Sequence, residues 1–138
     1  MNRIQYGNWV PGAVLSVFSQ RHLVNHVGIA GPLDSSGRRT VYHASKDRGV
    51  FILTFYEEFA EGQEVSYTWL PQNLEEQTAV LNRAQGQVGG PFNLSVADCE
   101  DYVNWIVMGR AYSPQRNFVL LALGILGFFW GTRALRSA

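Results

Sequence analysis

Val24-Asn25-His26-Val27-Gly28-Ile29-Ala30, then Asp34-Ser35-Ser36-Gly37, then Thr40-Val41-Tyr42-His43-Ala44: two apolar, β-branched runs on either side of a turn signal decide the fold of this chain. Aspartate, serine and glycine in succession favour a reversal, because the short polar side chains bond nearby backbone and glycine accepts positive φ. The flanking runs have the length and composition of strands, so the segment predicts a hairpin. In a hairpin centred on Ser35-Ser36, His26 and His43 are nearly equidistant from the turn. They are therefore expected as opposed or diagonal cross-strand neighbours with side chains in contact range. Gly28 and Ala30 share the face of His26, where small residues leave space for a substrate or for the Cys99 helix to approach.

Working outward, Ala13 to Phe18 follows Pro11-Gly12 and reads as a first strand, and Val50 to Phe55 as a fourth. Val65, Tyr67 and Trp69 alternate with Ser66 and Thr68, the period of a half-buried fifth strand, which Pro71 ends. Leu74 to Val88 carries apolar residues at helical spacing with Glu75 and Glu76 in the first turn, where the helix dipole favours them. Gly89-Gly90-Pro91 stops that helix, Phe92-Asn93-Leu94 is extended, and a second helix runs from a Ser95 cap toward Met108 and ends at Gly109. The expected architecture is α+β: an antiparallel sheet of about five strands packed with two helices, over residues 1–115. Ser113-Pro114 makes a hinge to a separate segment, 116–138.

That last segment has its own character. From Asn117 to Thr132 there is no charge, and Arg116 on one side and Arg133 and Arg136 on the other bracket the run. Sixteen helical residues rise about 24 Å against a hydrocarbon core of about 30 Å, so spanning needs snorkelling arginines or local thinning. Apolar residues on every face, with Trp130 beside Arg133, point to a C-terminal membrane anchor of apolar helix, and a buried core helix is the alternative. The rest of the composition excludes more than it includes. With 138 residues the chain is one domain's worth. Eleven basic and 11 acidic residues without a basic cluster argue against a nucleic-acid partner. Met1 to Trp9 has no apolar stretch of signal-peptide length. The single cysteine excludes an internal disulfide framework and fits a reducing compartment.

That cysteine, Cys99, lies in Ser95-Val96-Ala97-Asp98-Cys99-Glu100-Asp101-Tyr102-Val103. Ser95 and Asp98 have the spacing of a reciprocal helix cap, which places Cys99 in the first turn. There the helix terminus favours the thiolate, lowering a pKa of about 8.5 in free cysteine. Acyl chemistry at a thiol needs a group to take and return the proton, and histidine serves best near neutral pH. Of His26 and His43, one can act as base while the other holds its tautomer. The plain alternative is that Val96, Cys99, Val103 and Ile106 are an apolar stripe and Cys99 packs in a core. Asp98 serves equally as cap or as catalytic group. His22, His26 and His43 make a poor zinc site, since four strand residues span about 13 Å. No cofactor or metal is called for.

Asp98-Cys99-Glu100-Asp101-Tyr102, followed by Gly109, Ala111, Ser113 and Gln115, resembles the NC box of the lecithin:retinol acyltransferase-like family, Asn-Cys-Glu-His-Phe and then Gly-x-Ala-x-Ser-x-Gln. His26-Val27-Gly28-Ile29 is similar to its H-box, Val41-Tyr42-His43 to its second histidine motif, and Pro11-Gly12-Ala13-Val14-Leu15 to its first-strand entry. Asp98 stands where the motif has asparagine, and Asp101 where it has histidine. The resemblance covers nearly the whole chain and implies a permuted papain-like fold of NlpC type. It implies Cys99 as nucleophile, His26 as general base and acid, and His43 as the residue that orients His26. It also implies phospholipid acyl donors, and hence a membrane-associated thiol acyltransferase or phospholipase on the cytoplasmic face of an intracellular membrane. The same H-box and NC arrangement occurs in small membrane-associated proteins of some picornaviruses, which makes a membrane-tethered interaction protein with protein partners the alternative. An NlpC-type cysteine peptidase is a weaker one.

Overall fold

The computed structural model of the chain describes residues 2–20, 23–45, 47–91 and 96–109, with backbone alone for residue 24 and residues 96–101. The elements in chain order are β1 (Val14–Ser19), β2 (Val24–Leu33), β3 (Arg39–Ser45), β4 (Val50–Phe55), α1 (Tyr56–Ala60), β5 (Ser66–Trp69), α2 (Leu74–Gln87) and α3 (Val96–Met108). The five strands form one antiparallel sheet in the order β4-β3-β2-β1-β5. This is the expected α+β class, with strand and helix boundaries close to those read from the sequence. The apolar segment 116–138 lies outside the described residues, and no described helix is long and apolar enough to cross a membrane.

The β2–β3 turn is built as its residues require. Asp34 Oδ1 accepts from Ser36 N, Ser36 Oγ and Arg38 N at 2.9, 2.7 and 2.9 Å, and Gly37 takes a φ of +85°. From Gly28 to Ala30 the register is that of a hairpin centred on Ser35-Ser36, and it departs only nearer the turn. His43 pairs with Gly28, and the ladder shifts between Ala30 and Leu33. Pro32 interrupts the ladder there because it has no N–H to give, and Thr40 Oγ1 donates to its carbonyl at 2.6 Å. His26 is thus diagonal to His43, still within the expected range.

Period-two alternation divides the core. On one face lie Leu15, Val17, Ala30 and Val41 with Trp9, Tyr67 and the α1 residues Phe59 and Ala60. On the other lie Val14, Ile29 and Tyr42 with Val80 and Ala84 of α2 and Tyr102 and Ile106 of α3. Helix α1 is an element the sequence reading did not foresee. It lacks a side-chain cap and holds its place through tertiary contacts: Arg39 lies 4.0 Å over the Tyr56 ring, Trp9 meets that ring edge-on at 5.6 Å, and Arg38 approaches Glu57 at 3.6 Å. Helix α2 starts as expected, with Asn73 Oδ1 accepting from Glu76 N at 2.9 Å. Helix α3 ends where expected, at Gly109 with φ +66°. Arg83 of α2 donates to the α3 carbonyl of Ile106 at 2.9 Å, satisfying a terminal acceptor.

Gly28 has the small size the sequence reading valued, but the space beside it is filled. A Cβ there would lie 2.8 Å from Val41 Cγ1, 2.9 Å from the Tyr42 carbonyl oxygen and 3.0 Å from Phe59 Cε1. The occupants are Val41 and Tyr42 of β3 with Phe59 of α1, and one of the three contacts is backbone that cannot swing aside. Gly28→Ala is therefore expected to destabilise the domain by about 1–3 kcal/mol, measured by urea unfolding.

Candidate functional site

The site is built by three adjacent strands. On β2, His26 precedes Gly28 and Ala30 by steps of two, on β3 His43 follows Val41, and on β4 Ile52 stands opposite His43 with Thr54 two residues further. All therefore share the α1 face. His26 Nε2 and His43 Nδ1 are 2.9 Å apart, and His43 Nε2 is 2.8 Å from Thr54 Oγ1. The rings meet edge-on, and Phe59 lies 5.2 Å from His26 and 5.3 Å from His43 by ring centroid. Both histidines are buried, at 8 % and 7 % exposure. They floor a cleft of about 120 Å³ whose rim carries Asp47, Glu58 and Glu61.

The structure thus brings His26 and His43 together, as the hairpin implied. It adds two residues the sequence reading missed. Thr54 could have been found by pairing the third and fourth strand candidates, which puts its hydroxyl one diagonal from His43. Phe59 carried no such signal, because α1 is too short for a helical period.

Cys99 lies in α3, one turn before Tyr102, and its side chain is outside the described residues, as are the Ser95 cap, the Asp98 side chain and His22. The described side chains of the same helix are placed clearly. Tyr102 stacks 4.5 Å from Phe51, and Ile106 is fully buried with Val14, Ile29 and Tyr42. That is the face of the sheet opposite to His26 and His43. Among the described residues, no three histidine, cysteine or acidic side chains converge as metal ligands.

Tyr102 occupies the aromatic position of the NC-like motif and adds a hydroxyl that has no hydrogen-bond partner among the described residues. Its neighbour Tyr42 fares better, donating to Gln85 Oε1 at 2.8 Å. Burial pushes the Tyr102 phenol well above its ordinary pKa, so ionisation offers it no relief. A buried unpaired hydroxyl costs about 1–3 kcal/mol, so Tyr102→Phe is expected to raise stability by about 1 kcal/mol or more, seen as a higher midpoint in thermal or urea unfolding.

His43 is held neutral. Burial, and then the positive charge that His26 and Arg48 can bring, lower its pKa from 6.5 to about 3. The unfolded chain therefore binds a proton that the folded chain refuses. Stability is full above pH 6.5 and falls as pH drops from there toward 3, with a slope for this group of at most about 1.4 kcal/mol per pH unit. Unfolding free energies measured across that window should show the decline, and His43→Gln should flatten it. No family model, curated protein or solved structure matches the chain.

Proposed function

We propose that this chain is a membrane-associated interaction protein that keeps the H-box/NC layout without a working thiol–histidine couple, in the manner of the picornavirus proteins of that type. One observation carries this reading. The sheet stands between the histidine pair and the face on which Tyr102 and Ile106 fix α3, the helix that holds Cys99. A base must come within about 3.2 Å of the proton it takes, or one water away. A sheet and a helix layer packed beyond it exceed that reach. The departures at Asp98 and Asp101 agree, since a carboxylate beside a thiol disfavours the thiolate. Residues 116–138 would supply the membrane attachment, with their arginines at the headgroups.

A second reading, a cysteine-dependent acyltransferase or phospholipase acting on phospholipid esters, is favoured by a different observation. His26 and His43 are buried, in direct contact and anchored at Thr54, the construction of a positioned base and its orienting partner. It requires the first turn of α3 to reach the α1 face of the sheet. An NlpC-type peptidase would need the same couple.

The two readings differ at one bond and are separable by one experiment. The folded full-length chain is incubated with phosphatidylcholine vesicles with which it co-sediments, then analysed by intact mass and for released fatty acid. The expected result is no acyl adduct and no fatty acid beyond that of Cys99→Ala. An adduct of acyl mass that Cys99→Ala abolishes establishes the enzyme and ends the interaction reading.

A further inference from the structure

We infer that Thr54 is a positioning residue that sets the polarity of the histidine pair, so that His26 carries its proton on Nδ1 and keeps no lone pair for a thiol. The inference deepens the reading above and rests on it only for its functional meaning.

Thr54 is buried, and His43 Nε2 at 2.8 Å is the hydrogen-bond partner its side chain has among the described residues. Its hydroxyl has one proton to give, and a buried donor left without an acceptor is costly. Thr54 therefore donates to Nε2. A neutral imidazole carries one N–H, so with Nε2 accepting, His43 holds its proton on Nδ1. That N–H points at His26 Nε2, 2.9 Å away, and occupies its lone pair. The proton of neutral His26 is then on Nδ1. The reverse polarity, with both imidazoles protonated at Nε2, makes Thr54 an acceptor and strands its hydroxyl proton.

A further proton has no good place in this chain. On His26 Nε2 it would set two N–H groups face to face. On His43 Nε2 it would turn the Thr54 hydroxyl round and charge a ring packed beneath Phe59. The charged groups around the pair, among the described residues, are Glu58 and Glu61 from the α1 side and Asp47 and Arg48 from the β3–β4 turn. The three carboxylates favour a proton on the pair and Arg48 opposes it. All four are exposed, where solvent and salt weaken their hold.

The test is a two-bond ¹H–¹⁵N spectrum of the full-length, ¹⁵N-labelled chain at pH 7.5, with His22→Gln to clear the third histidine's signals. His26 and His43 should each appear as one tautomer, protonated at Nδ1 and unprotonated at Nε2. Thr54→Val should lose the unprotonated Nε2 signal of His43 in favour of a mixture, and Thr54→Ser should restore it. An Nε2-protonated His26 in the unmodified pair overturns the inference, as does a tautomer pattern that Thr54→Val leaves unchanged. Should Thr54→Val not fold, the parent spectrum alone decides. An Nε2-protonated His26 with no Cys99 adduct sinks this inference and leaves the interaction reading standing, and an Nδ1-protonated His26 with an adduct does the reverse.

Discussion

The alternation of side chains across the strands is the constraint on which the rest depends. Tyr42 and His43 are consecutive, yet one packs against the α2–α3 layer and the other under α1, because a strand turns each successive side chain to the opposite face. The same step separates Ile29 from Gly28 and Val14 from Leu15. Two cores result from one sheet, and neither can borrow a side chain from the other without a shift of register that would invert both. Where α3 packs therefore decides chemistry as well as shape. A helix on the Tyr42 face and a histidine on the His43 face are neighbours in sequence pattern and strangers in space.

Within that constraint, the polar groups arrange themselves to satisfy one another. Thr54, His43 and His26 form a line of hydrogen bonds across three strands, and Phe59 covers it. Tyr102 is the counterexample, a hydroxyl carried into the second core with nothing to bond among the described residues. The contrast is informative. In the first core the polar groups bond one another from strand to strand and the apolar packing closes around them. In the second, the aromatic ring of Tyr102 does the packing against Phe51 and the hydroxyl is an encumbrance.

Much of this was legible in the residues. The five strands and two longer helices follow from hydrophobic period and from punctuation by Asp34-Ser35-Ser36-Gly37, Pro71 and Gly109. The contact between His26 and His43 followed from distance to the turn. What was not legible shares a cause. Pro32 perturbs the ladder locally, and no periodic pattern reports a one-residue slip. Helix α1 has five residues and no side-chain cap, so its stability comes from contacts with Arg39 and Trp9, which are remote in sequence. The face on which a helix packs is likewise a tertiary fact. Val96, Cys99, Val103 and Ile106 read as an apolar stripe without saying which side of the sheet would receive it.

Gln77 of α2 is buried and makes three hydrogen bonds to the segment before β1. Its Nε2 donates to the carbonyls of Ile4 and Pro11 at 2.7 and 2.8 Å, and its Oε1 accepts from Ile4 N at 2.7 Å. An apolar contact there would hold the segment near α2 but let it slide. A single amide reading both a donor and an acceptor of residue 4 fixes direction and phase together, since a shift by one residue would turn those groups away. The path by which the chain enters its first strand is in this sense addressed rather than merely covered, and the address is written more than sixty residues downstream.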